Sequence, residues 1–277
     1  MKKEYDLHSH TSASDGTYTS KELIERAKNN GLKGIAITDH DTVDGLEEGK
    51  KEAEKLGIEF IPGIEFSCIY EEKDVHILGY FLDYKNEKLL EELEKLKKSR
   101  EERNREIIRK LNLYKVRITE EDILQEAKGN IVSKAHIANV MMAKGYSYTR
   151  GSAFKEYLGS TGVAYVKRKD FPPEKGIELV KMAGGIAILA HPKLISTNEN
   201  FIEKLIIDLK NKGLDGIEAE YGSFTKEDMI KYSKLAKELN LLITGGSDFH
   251  GLNREGVDLG DGGINTENYL KLKNKKI

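Results

Sequence analysis

Leu32-Lys33-Gly34-Ile35-Ala36-Ile37-Thr38-Asp39-His40-Asp41 (32–41) decides how the chain is read. The apolar run after Gly34 is too short for a helix and unbroken by polar residues, so it predicts a buried strand. That strand delivers Asp39-His40-Asp41 at its C-terminal end. Upstream, Thr19-Ser20-Lys21-Glu22 has the form of a capping box and predicts a helix over 22–30, stopped at Gly31. Before it, Asp6-Leu7-His8-Ser9-His10 closes a short apolar run, and Asp15 follows at a turn marked by Gly16. Strand alternation throws His8 and His10 to one side. By themselves these residues are either the start of a metal site or a polar strand end; ligands later in the chain would decide. Downstream, a helix over 43–56 stops at Gly57, a strand over 58–64 delivers Glu65, and a strand over 75–81 carries His76. Repeated β-α units predict a parallel sheet or barrel.

The pattern breaks at residue 85. One long charged helix is predicted over 85–113, its apolar positions Leu89, Leu93, Leu96, Ile107 and Leu111 at three-four spacing. The same stripe passes through Arg100 and Arg103, which either snorkel past the core edge or point into a polar cavity. Thr119-Glu120-Glu121-Asp122 caps a second helix, and Ser133 starts a third that runs through Lys134, His136 and Met142 to Gly145. A fourth, over 152–158, precedes a strand-like run over 163–166. Residues 85–170 therefore read as a helical insertion, a lid, within a domain formed by 1–84 and 171–277. The β-α pattern then resumes. A helix opens at Pro172-Pro173, the strand over 185–190 delivers His191, and the strand over 216–220 is followed by a helix capped by Thr225. The run 241–244 leads into Gly245-Gly246-Ser247-Asp248-Phe249-His250-Gly251, and the lysine-rich tail after Gly260 is expected at the surface.

Composition narrows the classes. The 277 residues are 33% charged, but the net charge is only −2, so no global basic field recruits long nucleic acid. The single cysteine, Cys68, excludes an internal disulfide, fits a reducing cytosol, and reads as a buried structural thiol. A basic-then-apolar leader and an apolar run of transmembrane length are both absent, which predicts a soluble cytoplasmic protein without membrane partners. Six of the seven histidines, with Asp15, Glu65 and Asp248, fall at or just beyond the C-terminal ends of predicted strands. Histidines scattered by chance would not favour one sheet edge. That edge is where parallel β-α architectures build chemistry, so the residues together read as a metal site.

The blocks His8-Ser9-His10, Thr38-Asp39-His40-Asp41, Gly63-Ile64-Glu65, His76, Ala190-His191-Pro192 and Ser247-Asp248-Phe249-His250-Gly251 resemble the PHP superfamily, named for polymerase and histidinol phosphatase domains. Asp15 after the HxH, the insertion, and Ser133-Lys134-Ala135-His136-Ile137-Ala138 are most similar to nucleoside 3′,5′-bisphosphate phosphatases, some of which also act as 5′→3′ exoribonucleases on short RNA. The family more usually has arginine at Lys134. The resemblance implies a distorted seven-stranded β/α barrel, TIM-like, holding three divalent ions. The first would take His8, His10, Glu65 and Asp248, the second Asp15, His40 and His250, and the third His76 and His191 with Glu65 as a bridge. Mixed imidazole and carboxylate ligands suit Mn²⁺, with Fe²⁺ or Zn²⁺ as alternatives, better than Mg²⁺. Three such ions and three carboxylates, with a bridging hydroxide, leave a charge of about +2 to meet a phosphate dianion. The implied reaction is in-line attack of that hydroxide on phosphorus, without a covalent nucleophile. Arg100, Arg103, Lys134 and His136 are the candidates for holding a second phosphate; the last two could equally form an ordinary helix face. Asp39 and Asp41 either orient ligands or cap their turn. Tyr165, Phe154 and Tyr157 stack on a base or belong to the core. A small-metabolite phosphatase, as for histidinol phosphate, and a non-catalytic metal-binding module are the competing readings.

Overall fold

The computed structural model describes residues 3–275. Seven strands form one sheet in chain order: β1 (Tyr5–Asp6), β2 (Gly34–Ile37), β3 (Glu59–Tyr70), β4 (Lys73–Tyr80), β5 (Ile186–Leu189), β6 (Gly216–Glu218) and β7 (Leu242–Thr244). The sheet curls until its edges meet. The Leu7 N–H donates to the Gly245 carbonyl (3.1 Å), the His10 N–H to Phe249 (2.9 Å), and the Asp248 N–H to His8 (2.8 Å). The expected distorted barrel is therefore present.

One part of the predicted pattern is corrected. β3 pairs antiparallel with β4, and β4 antiparallel with β5, while the other neighbours are parallel. β3 runs on past Glu65 to Tyr70 and reverses through Glu71 and Glu72, whose φ values of 45° and 64° make the mirror-image two-residue turn that matches strand twist. Two glutamates are poor residues for that turn, so the sequence did not announce a hairpin. The reversal has a functional consequence. His76 lies in the N-terminal half of β4, not at a strand's C-terminal end, yet it comes beside Ser67 at the same rim as Glu65.

Strand alternation divides the core into two layers. Ala36, Ile61, Leu78, Tyr80, Ile186 and Ile188 fill the barrel interior. Their neighbours Ile35, Ile37, Ile77, Ala187 and Leu189 face outward. There they meet α1 (Ser20–Asn29), α2 (Leu46–Leu56), α7 (Pro173–Met182), α8 (Glu199–Asn211) and α9 (Lys226–Glu238), numbered in chain order with the insertion helices below. Each fully buried isoleucine or leucine among them contributes about 1.5–3 kcal/mol. The tail is also corrected: Thr266–Lys275 is a helix, α10, and its Tyr269 and Leu272, with Ile264, plug the bottom of the barrel. Its lysines face out, and the apolar residues between them, at a three-residue interval, do the packing.

Residues 85–170, expected as a helical insertion, contain α3 (Glu87–Leu113), α4 (Glu120–Glu126), α5 (Lys134–Ala143) and α6 (Arg150–Ala153). Thr119 and Ser133 cap α4 and α5 as their sequences predict. Leu89 and Leu93 of α3 join the outer core of the barrel, whereas Ile107 and Leu111 belong to a separate cluster formed only by residues 107–164. The helix over 152–158 is instead α6 followed by a π-helical turn, Phe154–Leu158. No strand forms over 163–166, because the N–H groups of Val163 and Ala164 donate back to Glu156 and Tyr157 at the end of that turn. Among the described residues no helix is long and apolar enough to cross a membrane.

Candidate metal centre

The inward parity of the strands aims the functional side chains into the barrel mouth. Glu65 continues the inward series from Ile61, His76 precedes Leu78 and Tyr80, and Glu218 ends β6 two residues after Gly216. Three side chains at this rim sit on backbone that L-residues seldom adopt: Asp41 (φ 53°), His191 (φ 26°) and Asp248 (φ 56°). Conformations of that kind cost roughly 1–3 kcal/mol each and persist where surrounding structure enforces them.

Glu65 lies at the centre, fully buried. Its Oε1 is 3.3 Å from His8 Nε2, 2.9 Å from His76 Nδ1 and 3.2 Å from His191 Nε2. Its Oε2 is 3.3 Å from His10 Nε2 and 3.0 Å from His40 Nδ1. Asp248 Oδ1 stands 3.4 Å from His8 Nε2 and 3.2 Å from His10 Nε2. Asp15 Oδ1 is 3.4 Å from His250 Nε2, and His10 and His40 complete a group of four around it. All nine expected ligands are thus brought into one pit.

The residues fit divalent metal. Donors around an ion with ligand distances near 2.1 Å lie about 3.0 Å apart in octahedral and about 3.4 Å in tetrahedral sites, which matches the contacts above. His8 Nε2, His10 Nε2 and Glu65 Oε2 are buried without a hydrogen-bond partner among the described residues. Orphaned acceptors at such depth are costly unless a cation takes them. Burial drives the Glu65 carboxyl up, but the imidazoles of His40, His76 and His8 hold it well below the usual carboxylate range. Asp15 and Asp248 are held down in the same way, Asp15 by His40 and His250, Asp248 by His8 and His250. Burial, with His250 and His40 beside it, pushes His10 down to about 3, leaving its lone pair free. The same carboxylates raise His8, His40 (to about 9) and His250 against the effect of burial, so a metal ion binding here would displace protons from these imidazoles.

Several supporting residues carried no signal that the sequence reading used. Glu218 accepts from His8 Nδ1–H (3.0 Å) and from the His191 backbone N–H (2.9 Å). The first bond fixes the His8 tautomer that presents Nε2 to the pit. Tyr221 Oη–H donates to Asp248 Oδ2 (2.7 Å), and Arg254 grips the same carboxylate. Glu218 is an acid in an apolar strand, which could have marked it; Tyr221 and Arg254 come close only through the fold. Of the two orienting candidates, Asp39 accepts from Thr11 N–H (2.8 Å), Thr11 Oγ1 (2.6 Å) and Ser14 Oγ (2.6 Å), and so holds the loop that carries Asp15. Asp41 accepts from Ser67 N–H (2.9 Å) and from Arg100, whose Nε lies at 2.9 Å.

A cavity of about 470 Å³ opens beside the cluster, lined by Asp15, His40 and His76, by Arg103, Lys134 and Arg168, and by the carboxylates Glu72 and Asp74. Arg103 Nε, with Arg168 Nε and Nη1, has no hydrogen-bond partner among the described residues. Burial and the neighbouring Arg100 and Arg168 lower Arg103 to about 9, and burial with Arg103 lowers Lys134 to about 8. Arg168 was missed because it lies in an irregular segment. Arg100 borders the cavity but is engaged with Asp41 and Ser67. His136 is not brought into this group. Its Nδ1 accepts the Ser133 N–H (3.1 Å), and it lines another cavity with Thr17, Tyr18, Leu252 and Asn253. Phe154 and Tyr165 line the basic cavity, with Lys134 Nζ 5.0 Å from the Tyr165 ring centre, while Tyr157 packs against the insertion core. Cys68 is buried, its thiol pushed up by burial.

A curled α/β barrel with imidazoles and carboxylates converging in one pit at its mouth defines a class, the metal-dependent hydrolases. The chain belongs to the PHP domain family, whose model matches residues 6–207. It is 38% identical over 250 residues to a 5′-3′ exoribonuclease of Haemophilus influenzae, covering 90% of this chain and 91% of that one. It is 31% identical over 256 residues to a 3′,5′-nucleoside bisphosphate phosphatase of Chromobacterium violaceum, covering 92% and 90%. Among solved structures, a protein described as a metal-dependent phosphoesterase from Bifidobacterium adolescentis superposes with a TM-score of 0.89 at 28% identity, covering 99% of this chain and 96% of that chain. The chain is a metal-dependent phosphoesterase, a hydrolase of phosphoric esters.

Proposed function

We propose that the protein removes the 3′-phosphate of nucleoside 3′,5′-bisphosphates, acting in the cytosol on small nucleotides. The carrying observation is one cavity lined both by the candidate ligands Asp15, His40 and His76 and by the cationic side chains of Arg103, Lys134 and Arg168. A bisphosphate has two dianions. One would lie against the metal pit while Arg103, Lys134 and Arg168 take the 5′-phosphate through charge-assisted hydrogen bonds. Short RNA with a 5′-phosphate presents the same terminal group and is the second substrate, in keeping with the exoribonuclease relative.

Three divalent ions fit the donor set, Mn²⁺ best, with Fe²⁺ and Zn²⁺ as alternatives. His8, His10, Glu65 and Asp248 would hold one, Asp15, His40 and His250 the second, and His76 and His191 the third, with Glu65 shared. Bound metal supplies water activation at neutral pH and neutralises charge on the phosphoryl oxygens. Glu218 and Tyr221 keep His8 and Asp248 oriented. Phe154 and Tyr165 offer faces for the base, and residues of the insertion (85–170) line much of the cavity. Phosphate release by Mn²⁺-loaded protein from adenosine 3′,5′-bisphosphate, AMP, histidinol phosphate and a short 5′-phosphorylated RNA tests the reading. Preference for the bisphosphate with AMP as product supports it. Preference for histidinol phosphate overturns it.

A further inference from the structure

The loops that carry Asp15 and His250 behave as one stitched unit. Thr17 N–H donates to the His250 carbonyl (3.2 Å), Leu252 N–H to Thr17 Oγ1 (3.0 Å), and Asn253 Nδ2 to the Asp15 carbonyl (2.6 Å). Their approach is close enough to demand glycine at 251. Its φ is 65°, and a Cβ there would come within 2.1 Å of Thr17 Oγ1.

The insertion grips this unit from outside. Arg150, the first residue of α6, donates from Nη1 to the Asn253 carbonyl and from Nη2 to Asn253 Oδ1, and its Nε donates to Asn139 Oδ1 of α5 (2.6 Å). Asn139 Nδ2 in turn donates to Glu126 of α4 (2.7 Å). Three insertion helices thereby converge on one asparagine whose amide holds the backbone of Asp15. The guanidinium's flat fork suits two acceptors on one residue, which lysine cannot match.

We propose that Arg150 and Asn253 are positioning residues that make the Asp15/His40/His250 metal position depend on the seating of the insertion. This rests on the metal-centre reading above. The same insertion supplies Arg103 and Lys134 to the basic cavity, so ligand in that cavity and metal at Asp15 favour one seated arrangement and tighten each other. Neither Arg150 nor Asn253 hydrogen-bonds to His8, Glu65, His76 or His191; His10 and His40 reach both this position and Glu65, so the effect is expected to be largest at Asp15 and His250 and smaller elsewhere.

The test uses the full chain with Arg150→Ala, Arg150→Lys and Asn253→Asp, the last keeping the shape of the side chain while losing the N–H that donates to Asp15. Mn²⁺ per chain after dialysis, affinity by chelator competition, and kcat and KM on the bisphosphate are measured. Loss of one Mn²⁺, or about 10- to 100-fold weaker binding of one ion with the rest retained, is expected for Arg150→Ala and Asn253→Asp. Arg150→Lys is expected to fall between them and the native protein. Mn²⁺ content and affinity equal to those of the native protein in Asn253→Asp, or proportional loss of every ion, overturns the proposal, whatever happens to Tm. Native protein that binds no Mn²⁺ would instead overturn the metal-centre reading.

Discussion

Arg103→Ala isolates the claim that the insertion holds a second phosphate. The residue is 7% exposed, its Nε has no partner among the described residues, and its charge stands near those of Arg100 and Arg168. Burial and these like charges lower its pKa to about 9 from an ordinary value of 12.5. The guanidinium stays charged at working pH, so its burial beside like charges is a standing cost to the folded state. Removing the guanidinium is then expected to leave Tm unchanged or higher. What is lost is a hydrogen bond to a charged phosphate, worth about 1.5–3 kcal/mol. Lys134 and Arg168 remain, so the lower end applies, a rise in KM of about tenfold. Steady-state kinetics on adenosine 3′,5′-bisphosphate and on 3′-AMP, which lacks the 5′-phosphate, give the comparison. The account expects the KM increase on the first and almost none on the second. Equal changes on both substrates, or a fall in Tm of several degrees, would refute the reasoning.

Other consequences follow from the same geometry. Lys134, lowered to about 8, loses its proton as pH rises through that value, so KM for the bisphosphate is expected to increase above pH 8 while that for 3′-AMP stays flat. Glu218→Gln replaces an obligate acceptor facing His8 Nδ1–H and is expected to weaken metal binding about 10- to 100-fold, read by chelator competition. Arg100→Ala leaves the buried Asp41 carboxylate with the Ser67 N–H but without its ion-pair partner and is expected to cost about 3–5 kcal/mol in urea unfolding, in contrast to Arg103→Ala. Leu272→Ala, in the helix that plugs the barrel, is expected to cost about 2–5 kcal/mol; a surface tail would lose almost nothing.

The candidate ligands could be picked out because each lies in a short local context with a fixed parity or position. His8 and His10 alternate on one strand, His40 and His191 follow apolar runs, and Asp248 and His250 sit in a glycine-rich turn. Helix starts were legible at Thr19, Thr119, Ser133 and Thr225 because capping is a three-residue affair. What failed depends on tertiary packing. Glu71 and Glu72 give no chemical hint of the turn that reverses β4, so His76 was placed at the right rim for the wrong reason. Tyr269 and Leu272 look like scattered apolar residues in a lysine tail until the open barrel bottom is seen. Arg168, to which the sequence assigned no role, enters the basic cavity from an irregular segment, while His136 of α5, a candidate for it, spends Nδ1 on its own helix cap and lines another cavity.

Crystals of the protein soaked in Mn²⁺, with data collected at an energy where manganese scatters anomalously, test the central claim most directly. The account predicts three anomalous peaks in the pit, two of them within coordination distance of Glu65 and one between Asp15, His40 and His250. Absence of any peak within coordination distance of Glu65 would contradict it.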